Sequence, residues 1–353
     1  MSRRRKRKPL VTLGSDSVTY PWGIGVATGI GSLPYDEADE AARVVTGELP
    51  DLPHLPELPQ RGAGADLIGR TAALLVDLHV DLQPAGWRLT DRAGADERRA
   101  RSLLRVDLDA FEIVALGYSG PLKLQVAGPL TLAAAIERPR GDRAIADYGA
   151  RRDLAQSLAE GVRQHVADVA KRVPGAQLVV QIDEPSLPTV LAGGIPTSSG
   201  FGRLRAVDSS EAEQLLGEVI GAAGEWAVVH SCAPDVPVLL VQRSGARAVA
   251  LDVGLLAGSV LDELSEAMDG GLALWPGIVP SGRPDGPVSD RDLVQRLDRL
   301  FARLSADPVK AAPGTVVTPA CGLARADVGW AREAYRAARD VARAFAEHVG
   351  AAG

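Results

Sequence analysis

The chain has 353 residues, 46 % of them hydrophobic and 4 % aromatic, with a formal net charge of −6. That length suits two ordinary domains or one large α/β barrel, and the apolar fraction is ample for a buried core. A mildly acidic charge spread along the chain argues against a nucleic-acid partner, and no run of about eighteen apolar residues would span a membrane. There are two cysteines, far apart, and no signal peptide precedes them, so thiol or metal chemistry in the cytoplasm is expected rather than a disulfide.

The chain opens with MSRRRKRKPL, a basic run with no apolar segment behind it, and residues 1–20 read as a disordered, solvated tail. Residues 21–353 then read as one domain. Short apolar runs mark candidate strands at 24–30, 73–82, 122–127, 177–182, 226–230, 247–251, 272–278 and 315–318. Helical stretches at 142–172, 209–223, 236–244, 255–268, 290–305 and 327–348 separate most of them. Alternating strand and helix implies parallel pairing through right-handed crossovers, and eight such units predict a single (β/α)8 TIM barrel. The glycines of GIGVATGIG lie within and at the end of the first strand, which is the wrong place for a dinucleotide fingerprint. The proline-rich stretch 48–64 reads as a loop that could wall an active site.

Barrel enzymes carry their chemistry on the C-terminal ends of the strands. Here those ends hold Ile30-Gly31-Ser32, Gly128-Pro129, Asp183-Glu184-Pro185, His230 with Cys232, Asp252, and Cys321-Gly322. In the stretch WAVVHSCAPD, His230 and Cys232 are two apart, so a strand would point both at one spot. Each residue alone has a plain reading: a lone cysteine as a small buried hydrophobe, a lone aspartate as a helix cap. Together on one rim, two cysteines and a histidine favour a metal site. Thiolate and imidazole are the usual ligands of zinc, and one further group would complete a tetrahedron.

TGIGSLP, QIDEP, HSC and TPACGL occur in that order. They resemble the signature segments of the C-terminal catalytic barrel of cobalamin-independent methionine synthase, over nearly the whole chain after about Gly25. The resemblance implies a zinc-dependent methyltransferase acting on homocysteine, with Zn2+ as cofactor. His230, Cys232 and Cys321 match three zinc ligands, and Asp252 stands where the family has a glutamate as the fourth. Ile30 and Ser32 match positions that hold the amino-acid substrate, and Asp183 matches the carboxylate that receives its ammonium group. Glu57, in PELPQ, is the nearest counterpart of a second carboxylate. Asp183 and Cys232 are thus the residues expected to carry the chemistry.

The departures concern the methyl donor. The family's folate-stacking tryptophan is replaced within AGPLTLAAA, a histidine near the seventh strand is missing from WPGIVPSGRP, and the long enzymes' additional N-terminal barrel has no counterpart. The expected donor is therefore a methylcorrinoid or a protein carrying one, rather than methyltetrahydrofolate polyglutamate. Other readings stay open: a zinc alkyltransferase acting on another thiol such as coenzyme M, and a non-catalytic zinc- or methyl-carrier-binding protein. A decarboxylase of the uroporphyrinogen type needs no metal, and HSC with the late Cys321 argues against it.

Overall fold

Among the described residues nine strands form, seven of them in one parallel sheet: β1 (Val26–Ala27), β2 (His79–Gln83), β3 (Gly86–Thr90), β4 (Gly120–Ala127), β5 (Ala176–Asp183), β6 (Ala227–Ser231), β7 (Ala248–Asp252), β8 (Ala273–Val279) and β9 (Val316–Pro319). The computed structural model describes residues 18–286 and 288–352. The main sheet runs β1-β9-β8-β7-β6-β5-β4, and every neighbouring pair is parallel. Helices cross between the strands, and their starts and stops follow local chemistry. Asp208 caps Ser209–Ala223 by accepting from Ser210 N, and Gly224 ends that helix at φ +95°. Asp147 caps Tyr148–Arg172 in the same way, and Lys171 and Arg172 face the negative end of its dipole. That helix buries Leu154, Leu158, Val162, His165 and Val169, the spacing of one face.

The two faces of the strands have different tasks. Val180, Ile182, Val229, Val249, Leu251 and Leu274 pack outward among the helices. Val179, Val228, Ala248, Ala273 and Trp275 form a separate inner cluster with Trp22 and Val26. Its floor is aromatic: Trp22 lies 5.1 Å from Tyr20, 5.9 Å from Trp226 and 5.0 Å from Trp275 between ring centroids. Further along the same inner face the residues turn polar, with Gln181 and Asp183 on β5 and His230 on β6. The strands themselves therefore lift polar groups onto the C-terminal rim.

Two expectations need correction. Residues 73–82 are not a strand of the main sheet. Ala73 ends the helix Leu67–Ala72, and β2 turns back on β3 as an antiparallel hairpin. The expected eight regular strands are thus seven. Between β1 and β4 runs the proline-rich stretch: Leu55 N donates to Lys123 O (2.9 Å), Lys123 N to Pro53 O (2.9 Å), Leu33 N to Glu57 O (2.9 Å) and Glu57 N to Gly31 O (3.1 Å). It makes isolated bridges to both sides and no continuous ladder, because Pro53 and Pro56 have no N–H to give. Of the expected tail over residues 1–20, residues 1–17 lie outside the described part, and Tyr20 packs in the aromatic floor. No described helix is long and apolar enough to cross a membrane.

Candidate metal and substrate site

At the rim, β5, β6 and β9 bring the predicted groups together. Asp183 pairs in register with His230, and Cys232 follows β6 directly. Cys321 lies two residues beyond β9. The ligand atoms of His230, Cys232 and Cys321 all fall within 4.8 Å of one another, a grouping that could hold a metal ion. Both thiols are free, and their sulfurs are 2.7 Å apart. His230 is buried and its Nδ1 donates to Ala250 O at 3.1 Å, which fixes the tautomer. Its Nε2 is buried with no hydrogen-bond partner among the described residues. A buried ring nitrogen left without a partner beside two sulfurs is a cost that a ligand there would remove.

The electrostatics agree with that arrangement. A hydrogen bond with Cys232 holds the Cys321 thiol down at about 4, against burial and with help from His230. The same hydrogen bond and burial push Cys232 up. For His230 burial works downward, yet the Cys321 sulfur and the Asp183 carboxylate leave the imidazole above its ordinary value. One thiolate, one retained proton and one imidazole suit a cation that would take the proton's place.

The cluster forms one wall of a cavity of about 280 Å³, which Ile30, Ser32, Glu57 and Asp183 also line. Burial pushes Asp183 up to about 6, with His230, Lys123 and Gln181 pulling the other way. Burial pushes Glu57 up to about 7, against the nearby Arg70. Glu57 Oε1 is buried and accepts no hydrogen bond from the described residues, with Arg70 Nε 3.7 Å away. Ser32 sits against Gly322: a Cβ there would overlap Ser32 Oγ, so only glycine lets the hydroxyl come this close. The carbonyl of Ile30 already accepts from Lys123 Nζ (2.9 Å) and Gln181 Nε2 (2.8 Å). Any contact of this residue with a ligand falls to its N–H or side chain. A larger hollow of about 590 Å³, between Arg43, Phe111 and Tyr118, contains none of these groups.

Asp252 is not brought into the cluster. Its Oδ1 accepts from Gly254 N at 2.7 Å and so caps the short turn Val253–Leu255. An aspartate is one methylene shorter than a glutamate and, held in that cap, stays outside the convergent set.

The sequence reading placed Glu184 on the rim without a role, and it gave none to the buried Lys123, Gln125 and Gln181. Glu184, beside Asp183, points away from the cavity and accepts from Leu130 N (2.8 Å), Thr131 N (2.9 Å) and Thr131 Oγ (2.7 Å). Gly128 must lack a side chain, because a Cβ would overlap that carboxylate. Burial pushes Glu184 up to about 7 against those hydrogen bonds. Lys123, Gln125 and Gln181 lie wholly inside, and burial pulls Lys123 down to about 7 against Asp183 and Glu57. Their sequence signal was present: polar residues at alternate positions of otherwise apolar strands, Lys123 and Gln125 on β4, Gln181 and Asp183 on β5.

A parallel α/β fold that gathers two thiols, an imidazole and two carboxylates at its strand C-termini is an enzyme architecture, with the working groups where such folds place them. Residues 26–344 match the cobalamin-independent synthase catalytic domain, and the chain belongs to that family, methyltransferases of the methionine synthase type. Among solved structures, a B12-independent methionine synthase from Shewanella sp. W3-18-1, in complex with selenomethionine, has a similar fold. The TM-score is 0.60 at 13 % identity, over 93 % of this chain and 99 % of that one. A search of curated proteins finds no significant match.

Proposed function

We propose that the protein methylates the thiol of homocysteine to give methionine, with Zn2+ held by His230, Cys232 and Cys321. One observation carries this reading. A single cavity has a thiol–imidazole cluster with an unpartnered nitrogen on one wall and two carboxylates, Asp183 and Glu57, on the others. An amino-acid thiol has the two matching ends, a sulfur and an ammonium. The donor set fits zinc in kind, and three protein ligands leave a position for an incoming sulfur. Bound zinc supplies a Lewis acid that keeps a thiol deprotonated near neutral pH. We keep Asp252 outside the ligand set, because its carboxylate caps a turn.

The remaining work falls to the chain's own side chains. Asp183 and Glu57 take the substrate ammonium, and the Ser32 hydroxyl is placed for its carboxylate. Fixing that end orients the sulfur and removes most of the entropy cost of the encounter. The transfer forms a bond from sulfur to the methyl carbon and breaks the bond from that carbon to the donor. We read residues 21–353 as one catalytic domain, with 53–57 completing a barrel between β1 and β4.

The test is a binding comparison. Calorimetry of the zinc-loaded protein with homocysteine and with 4-mercaptobutyrate, which lacks only the amino group, should show homocysteine binding at least tenfold tighter. Equal affinity would remove the ammonium subsite and favour a different thiol.

A further inference from the structure

We propose that Lys123 and Gln181 are positioning residues that aim Asp183 at the substrate. The inference rests on the reading of Asp183 as the ammonium receptor. Lys123 is fully buried on β4, and its Nζ donates to Gln181 Oε1 at 2.7 Å, Ile30 O at 2.9 Å and Gln125 Oε1 at 3.2 Å. An ammonium has three N–H donors and no acceptor, so any amide beside it must turn its oxygen inward. Gln181 is therefore held one way round. Its Nε2 faces the opposite side, where it donates to Asp183 Oδ1 and Ile30 O, both at 2.8 Å. Turning the amide over would set oxygen against carboxylate and N–H against ammonium, losing three hydrogen bonds at once.

The consequence lies one residue further on. Oδ1 of Asp183 is pinned by Gln181, while Oδ2 takes no hydrogen bond from the described residues, and Asp183 lines the cavity. The relay fixes the carboxylate's rotamer and leaves one oxygen for a ligand. The same ammonium ties the end of β1, through Ile30 O, to β4 and β5, so Ser32 and Asp183 are held at a set spacing. It also puts a positive charge near two buried carboxylates, Asp183 and Glu57, which would otherwise repel each other when no substrate is bound.

The experiment is a double-mutant cycle on homocysteine binding by the zinc-loaded protein, with zinc content and melting temperature measured for every variant. Lys123→Met keeps an unbranched apolar stem, one atom shorter, and removes the donors; Gln181→Met removes the relay while sparing the lysine, and carries the test if Lys123→Met does not fold. Each should weaken homocysteine at least tenfold with zinc content unchanged. In an Asp183→Asn background neither should add more than twofold, because the path to the substrate is already cut. A residue with a merely structural role would add its full effect in both backgrounds, which overturns the proposal. So does unchanged affinity in both single variants while wild type binds and Asp183→Asn does not. If wild type itself fails to bind homocysteine, the substrate reading falls, and the relay falls with it.

Discussion

Asp183 and His230 stand opposite each other, in register, at the C-terminal ends of the neighbouring strands β5 and β6. The carboxylate assigned to substrate and the imidazole of the thiol cluster therefore share one wall, and the two halves of the site are held together by backbone hydrogen bonds rather than by loops. Each half can still be tested separately.

The metal half should depend on the sulfurs and not on Asp252. Purified protein is expected to hold about one zinc per chain. Cys232→Ser and Cys321→Ser should each lose most of it, while Asp252→Asn, which alters only a turn cap, should keep it. Elemental analysis decides; full occupancy in both serine variants would sink the site.

The substrate half should depend on ionised Asp183. Asp183→Asn is expected to weaken homocysteine by roughly 1–3 kcal/mol, the range for a hydrogen bond to a charged group, with zinc content unchanged. An ammonium is held only by the ionised carboxylate. Burial raises this acid to about 6, so affinity is present above that value and fades as pH falls through it. Titrations at several pH values between 5 and 8 should show the decline in wild type and a flatter profile in Asp183→Asn.

Most of this was legible from residue patterns, and the misses have physical causes. The seven parallel strands follow their apolar runs, because both of their faces are covered and the runs are continuous. The segment between β1 and β4 was not legible: Pro53 and Pro56 read as loop, and the apolar run 73–82 took the place of a strand. His230, Cys232 and Cys321 stood out because sulfur and imidazole are rare in this chain, with two cysteines and five histidines in all. Lys123 did not stand out, because its task comes from Gln181 and Ile30, which are distant in sequence. For Asp252 the position at a strand end left both readings open, ligand or cap, and the structure shows it capping the turn Val253–Leu255.

Gly322→Ala tests the contact between the two ends of the chain. The added Cβ overlaps Ser32 Oγ, so the serine must move. Lower thermal stability and weaker homocysteine binding are expected. Adding Ser32→Ala should recover stability by removing the clash, yet leave binding weak because the hydroxyl is gone. Recovery of both would take Ser32 out of the substrate site.

Glu184→Gln tests the buried carboxylate behind the site. An amide cannot accept from Leu130 N and both Thr131 donors at once, so a loss of roughly 1–3 kcal/mol is expected for the groups left unpaired. The folded protein holds the Glu184 proton more tightly than the unfolded chain, since burial raises this acid to about 7. Its contribution is therefore full in acid and is lost as pH rises through 7. The stability gap between wild type and variant should narrow from pH 5 to pH 8 in denaturant melts of metal-free protein. A gap that widens would show that the carboxylate is favoured in its ionised form.

The methyl donor is the last question, and the helix Pro129–Ala135 bears on it. A folate needs an aromatic surface to stack on, and this helix supplies none: it reads PLTLAAA, and Leu130 to Ala134 are buried. The cavity, at about 280 Å³, is lined by no Phe, Tyr or Trp side chain on which a pterin could stack. A corrinoid presents its methyl group on one flat face, so it needs only an open rim across which the sulfur can reach. Homocysteine should accordingly be methylated faster from a methylcorrinoid, or a protein carrying one, than from methyltetrahydrofolate. Initial rates with the two donors at equal concentration, under saturating homocysteine, provide the comparison. Faster turnover with methyltetrahydrofolate alone would mean that the folate is held by surfaces other than this helix, and the inference would be wrong.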